Sequence, residues 1–219
     1  MSAAAAGNWN ESRRLLERAL QTDPEYETAH TGLIDVLVRL GEWDAAETHF
    51  QRSISINPKS ARAYLNHARL LKVRAQEDEA IEHLATALRL DPRLSAAHLE
   101  FGAILSERGQ DEEAMQHYRQ VIQEEPDHPQ ANALLGRRLF VLGRAKEALD
   151  PLRRSIAVES TNLPLYRFWL ALVLITSGAR EEGERQAQTA LDEARARGQS
   201  AWATPMEAYI DRLHRGNAQ

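Results

Sequence analysis

The 219-residue chain has no cysteine. That single absence excludes disulfides, thiol nucleophiles, thiolate-ligated zinc and a lipidated N-terminal cysteine. It leaves the compartment open, because a cysteine-free chain tolerates oxidising and reducing surroundings alike. Lysine is nearly as scarce, with 24 arginines and only 3 lysines among the 27 cationic side chains. We read the arginine excess as compositional bias. With a net charge of −5 the chain lacks the basic field that a nucleic-acid or polyanion binder needs. Long apolar runs are missing too. The run at residues 170–175 falls far short of the ~20 residues that span a bilayer. Residues 1–7 lack the charged start and apolar core of a signal peptide, so a cytoplasmic location without membrane insertion is expected. No glycine-rich phosphate loop, nucleophile elbow or His-Glu-x-x-His pattern occurs. The chain is therefore not expected to be an enzyme, nor to hold a cofactor or a metal.

What is present is a ladder. Asp23-Pro24, Asn57-Pro58, Asp91-Pro92 and Glu125-Pro126 recur with the prolines 34 residues apart. Proline cannot continue a helix and restricts the residue before it, so each pair punctuates the chain. A fixed period in this range marks a solenoid. Between the rungs, apolar residues at helical spacing predict first helices near 28–40, 61–74, 95–108 and 129–142, and second helices near 44–56, 77–90, 111–124 and 145–158. Gly41, Gly109 and Gly143 fill the turns, as suits a left-handed helix end, and Ala75 takes the same place at a conformational cost. Small residues recur at Ala46, Ala80, Ala114 and Ala148, opposite bulky Leu37, Leu71, Leu105 and Leu139. Large-into-small packing of antiparallel helices is what this encodes, and no strand-like alternation competes with it.

The ends depart from the pattern. Residues 10–21 read as a lone second helix, with Gly7 and Trp9 where later units put their turn. The proline expected at 160 is Ser160, and the next turn glycine, Gly178, comes one residue late. Pro164 opens an aromatic-rich first helix, and a second helix is expected at 180–197. Thr204-Pro205-Met206-Glu207 reads as N-cap, first helical residue and capping box of a last helix that covers the open end.

The ladder, the turn glycines and the small positions resemble the tetratricopeptide repeat, a 34-residue helix–turn–helix unit, over about residues 9–196. The resemblance implies an all-α, right-handed superhelical solenoid whose first helices line a concave groove. It divides a single array over 1–215 into a half repeat 8–26, repeats 27–60, 61–94, 95–128, 129–162 and 163–197, and a capping helix 204–215, with a flexible tail at 216–219. It also implies a protein- or peptide-binding adaptor or scaffold. Two other readings stand beside that one: a recruitment domain of a larger enzyme, such as a glycosyl- or sulfotransferase, and a self-assembling repeat protein.

The resemblance turns certain faces of the first helices toward the groove. There Arg62, Asn66 and Arg69 share one stripe at i, i+4 and i+7, followed by Lys72, with Arg137, Phe168 and Trp169 in later units. Asparagine can hold a peptide backbone and arginine can fork a carboxylate, so the expected partner is an acidic or extended segment. The competing reading is a solvated face balanced by Asp35, Glu100 and Glu107. Some family members bind the C-terminal carboxylate of heat-shock chaperones through a Lys/Asn/Arg set. Thr31 and Asp35 replace its leading Lys and Asn here, which argues against that function. His49, His83 and His117 are 34 apart and read as a row of packing positions, not a metal cluster. The turn Glu124-Glu125-Pro126-Asp127-His128 reads as the ordinary acidic end of a repeat.

Overall fold

A computed structural model describes residues 3–216, with side chains from 8 to 213; residues 217–219 of the expected tail lie outside the described residues. The described residues form twelve α-helices and no strand, falling into two compact units, Met1–Arg108 and Gly109–Gln219. In the first unit lie α1 (Ala3–Thr22), α2 (Glu27–Leu40), α3 (Trp43–Ile56), α4 (Ala61–Val73), α5 (Glu77–Leu90) and α6 (Ser95–Glu107). The second holds α7 (Asp111–Glu124), α8 (Pro129–Val141), α9 (Ala145–Ser155), α10 (Leu163–Thr176), α11 (Arg180–Ala196) and α12 (Ser200–Gly216).

The Asp-Pro rungs work through a repeated turn. The carboxylate or amide oxygens of Asp23, Asn57 and Asp91 accept the N–H two residues on, at 3.0–3.1 Å. The carbonyls of Asp23, Asn57, Asp91 and Glu125 accept the N–H three residues on. Such side-chain turns draw the backbone away from helix just where proline removes a donor. After each first helix, Gly41, Gly109, Gly143 and Gly178 have φ of 75–91°, and Ala75 adopts the same left-handed backbone at φ 60°. Glu42, Gln76, Arg144 and Ala179 then donate back to the carbonyl five residues earlier, at 2.9 Å, closing otherwise orphaned helix ends.

In the first unit Leu33, Ile34 and Leu37 of α2 pack with Ala46 and Phe50 of α3 and Ala63 and Leu70 of α4. One repeat on, Leu65, Ala68 and Leu71 meet Ala80, Leu84 and Ala87 of α5, with Ala97 and Ile104 of α6. In the second unit two glycines mark the closest approaches. A Cβ on Gly136 would stand 2.5 Å from Leu152 Cγ, and one on Gly183 would stand 2.5 Å from Ile175 Cγ1 and 2.9 Å from the Ala171 carbonyl.

Three expectations need correction. α1 is one continuous helix from Ala3, with no turn at Gly7 or Trp9. Residues 3–6 are all alanine, the best helix former, and they carry the helix across Gly7 despite its ~1 kcal/mol cost. α9 ends at Ser155 rather than near 158, because Ile156 and Ala157 turn back onto the carbonyls of Arg153 and Arg154. Finally, α12 starts at Ser200, not at the expected Thr204 cap, and Pro205 lies inside it. The left-handed turn at Gly198 and the Gln199 carbonyl, which accepts from Trp202 and Ala203, start the helix early. Pro205 is exposed, so the carbonyl it leaves without a helical donor is within reach of water. Glu207 closes no capping box; it pairs with Arg195 at 2.6 Å.

The slip after the fourth rung is visible as geometry. The repeated turn reappears at Leu163 N–H to the Ser160 carbonyl, one residue later than the ladder requires. The extra residue is taken up in the loop at 156–162. That loop is tied to the α11–α12 turn, where Arg197 donates to the Ser160 carbonyl at 2.8 Å and Gln199 to the Thr161 carbonyl at 2.9 Å.

Candidate functional site

The first helices of the first unit carry a concavity of about 260 Å³ lined by Gly32, Asp35, Arg62, Leu65, Asn66, Arg69, Leu94 and Ala96. Three of the predicted residues meet there, and they play different parts. Arg69 is the centre of an ion ladder. Its Nε donates to Glu100 Oε1 at 2.9 Å and its Nη1 to Asp35 Oδ1 at 3.2 Å, while Arg39 Nε reaches Asp35 Oδ2 at 3.0 Å. Lys72 Nζ stands 3.6 Å from Glu107. These charges neutralise one another across three successive first helices. Arg62 does not join them. It is exposed and makes no ion pair among the described residues.

Asn66 is the correction at this site. It is only 4% exposed, donates from Nδ2 to the Thr31 carbonyl at 3.0 Å, and accepts from Arg69 Nη1 at 3.4 Å. An amide buried and engaged in this way braces α4 against α2, where an exposed ligand for a peptide backbone was expected. Thr31 is buried as well, bonded to Glu27 at 2.5 Å and Ser53 at 2.8 Å.

In the second unit the exposed Arg137 guanidinium stacks over the half-buried Trp169 ring at 5.2 Å, and Trp169 leans on buried Tyr166 at 5.7 Å. A cation over an indole face is held by the ring quadrupole. Burial pushes the Tyr166 hydroxyl pKa up, offset in part by the Asn162 hydrogen bond. Phe168 faces elsewhere. It meets Tyr209 of α12 edge-on at 5.5 Å and packs on the core that Ala187, Leu191, Met206 and Ile210 share, so it seats α12 instead of facing a groove.

Among the histidines, His49 Nδ1 lies 2.8 Å from His30 Nδ1, and His83 Nδ1 lies 3.4 Å from His67 Nδ1. His128, in the acidic turn, caps α8 by accepting from the Ala131 N–H at 3.2 Å. Among the described residues no group of three or more carboxylate, imidazole or thiol ligands converges on a metal position. No described helix is long and apolar enough to cross a membrane.

Sequence reading missed the use to which arginine is put. Arg74 pairs with Asp44 at 2.6 Å, Arg108 with Asp78 at 2.8 Å, and Arg144 with Glu112 at 3.1 Å, each bridging one second helix to the turn of the next unit. The 34-residue interval between Arg74 and Arg108 carried that signal. It also missed the run of small buried residues Ala68, Gly102 and Gly136, likewise 34 apart.

Comparison with known proteins agrees with this architecture. The tetratricopeptide repeat model matches residues 3–70, 74–137 and 105–167, well over half of the chain. The chain belongs to the tetratricopeptide-repeat family. Its described helices are those of an all-α helical-repeat solenoid, a fold that is generally non-catalytic and generally mediates protein–protein contact and scaffolding. No curated protein sequence matches it. Among solved structures it is similar to TTC0263, a thermophilic repeat protein of Thermus thermophilus, with TM-score 0.62 and 23% identity over 84% of this chain and 97% of that one. It is also similar to Pseudomonas aeruginosa pilF, with TM-score 0.69 and 19% identity over 87% and 92%. A third is YrrB, described as a repeat protein with an unusual peptide-binding site, with TM-score 0.60 and 16% identity over 81% and 91%. At these identities the likeness is one of fold.

Proposed function

We propose that this tetratricopeptide-repeat chain is a non-enzymatic adaptor that captures an acidic, extended partner segment on its first-helix faces. The observation that carries the reading is Arg62. It is the one arginine lining the first-unit concavity without an ion pair among the described residues, beside Leu65 and Leu94 and next to a ladder that is already neutral. A carboxylate entering there gains a charge-assisted, forked contact without having to displace an existing one. Arg69, already paired with Asp35 and Glu100, lines the same concavity. Within the second unit, Arg137 stacked on Trp169 is a separate cationic and aromatic surface of the kind enriched at interface hot spots. That YrrB is described as having a peptide-binding site supports the class of ligand.

Selection of a random-peptide display library on the full chain, in parallel with Arg62→Glu, tests this. Enrichment of acidic sequences by the wild type, lost in the variant and weakened by salt, is expected. The same peptides enriched on both proteins, or no enrichment on the wild type, would overturn it.

A further inference from the structure

Two members of the 34-residue histidine row have a role that partner capture does not use. His30 is buried on α2, and its Nε2 lies 3.1 Å from the Pro24 carbonyl. A carbonyl oxygen only accepts, so the proton sits on Nε2 and the neutral ring presents a bare Nδ1 to His49. The 2.8 Å Nδ1–Nδ1 contact then requires that His49 donate its own Nδ1–H. One repeat on, the wiring recurs. Buried His67 on α4 directs Nε2 at the Glu47 carboxylate, 2.8 Å away, and turns Nδ1 toward His83 Nδ1 at 3.4 Å. The ring of His67 is buried and stacked flat on Phe50, centroids 3.8 Å apart, and the half-buried His83 meets the Phe50 and Tyr64 rings at 5.5 and 5.6 Å.

We propose that His30–His49 and His67–His83 are acid-sensitive latches: each pair joins a first to a second helix, accepts one extra proton, and is forced open by the next. A single added proton is accommodated. The first-helix histidine then donates from both nitrogens, and its partner moves its own proton to Nε2 and accepts. A second added proton leaves N–H facing N–H, with two positive rings whose centroids are 5.1 Å and 4.6 Å apart. The surrounding charges do not balance two cations. Around the first pair stand Glu27 of α2 and Glu17 and Arg13 of α1. Around the second stand Glu47 of α3, Glu79 of α5, and Arg74, which already lies 3.9 Å from Glu47. Consistent with this, burial and then the facing histidine hold His49 and His83 below the ordinary imidazole value. The unfolded chain therefore binds more protons in the window below about pH 6.5. Stability from the latches is whole above that pH and is lost as pH falls through the lowered folded values.

Imidazole ¹⁵N titration of the full chain, with denaturant unfolding at each pH from about 7.5 to 5, tests the latches. His49 and His83 are expected to remain neutral below the pH at which a free histidine titrates. The unfolding constant is expected to rise by up to about tenfold per pH unit for each latch that takes up a proton. In the double variant His49→Asn/His83→Asn the amide donates to the same acceptor without titrating, and the pH slope flattens. Ordinary, independent titration of His49 and His83, or an unchanged slope in a folded double variant, would overturn the proposal. If that variant does not fold, the wild-type titration alone decides.

Discussion

α4 and α10 are both first helices of their repeats, yet they are held in opposite ways. α4 carries a polar stripe that is wired: Asn66 to the α2 backbone, Arg69 to carboxylates on α2 and α6, Lys72 to Glu107. α10 is apolar on nearly every side, with Leu163, Tyr166, Leu170, Ala171, Val173 and Leu174 buried and Phe168 covered by α12. A wired helix leaves its charges arranged but already spent, and of the α4 cations Arg62 alone makes no ion pair among the described residues. The apolar helix is held chiefly by shape, with one polar tie of its own, Arg167 to Glu193 at 3.1 Å and Gln186 at 3.0 Å on α11, and the cation over Trp169 comes from Arg137 of α8.

If shape holds α10, then adding one carbon to its closest contact should cost more than any single polar change on α4. Gly183→Ala puts a methyl into Ile175 and onto the Ala171 carbonyl, and backbone cannot give way as a side-chain tip can. We expect a loss of about 1–3 kcal/mol in denaturant unfolding. A loss below a few tenths would mean that α10 and α11 are loosely seated. The turns that close the two helices give the next largest effect, with opposite signs. α4 ends on Ala75 at φ 60° and α10 on Gly178 at φ 91°. Ala75→Gly should stabilise by about 1 kcal/mol and Gly178→Ala should destabilise by about the same or more, since only glycine enters the left-handed region without strain.

The contrast between the two helices was only half legible in the sequence. The period, the turn positions and the small-against-large pairs follow from residue types at fixed intervals, which is why the second helices α3, α5 and α7 fall where the periodicity predicts them. The wiring was legible only as a balance of charge: the sequence offered Asp35, Glu100 and Glu107 against this stripe, but not which acid lies opposite which cation. Asp35, Arg69 and Glu100 are separated by 34 and 31 residues, and the partner of each is chosen by helix packing rather than by local spacing. Asn66 looked like a ligand for the same reason: the sequence shows an amide on the right stripe, and only the Thr31 carbonyl opposite shows that the stripe is buried there. The early start of α12 was hidden by local rules. Thr204-Pro205 is a good cap in isolation, but Ala203, Met206 and Ile210 gain more by packing on α11 as one longer helix.

The ladder can be weighed by a double-mutant cycle on Arg69→Met and Glu100→Gln. The two side chains are a little over a quarter exposed and their contact is 2.9 Å, so a coupling near the upper end of the surface range, about 1 kcal/mol, is expected. Zero coupling would mean that the ladder does not brace α4, and that all of its charges are free to bind partners.

The smallest expected effect lies at the start of α2, where Glu27 occupies the place that Pro164 holds in α10 once the one-residue slip is counted. Burial pushes the Glu27 carboxyl up, but hydrogen bonds from Ser60, Thr31 and Ser53, with the nearby His30, outweigh it and hold it below the ordinary carboxylate value. A carboxyl depressed in the fold binds its proton more readily when unfolded. Its contribution is therefore present above about pH 4.5 and is lost as pH falls through the lowered folded value. Glu27→Gln keeps the shape and an acceptor oxygen for the hydroxyls but cannot titrate. The variant should be slightly less stable at pH 7, and its stability should fall less steeply than the wild type's between about pH 5 and 3. Parallel acid limbs for the two proteins would show that the hydroxyl cluster does not discriminate between the charged and neutral carboxyl, and that this end of the polar first helix is seated by packing just as α10 is.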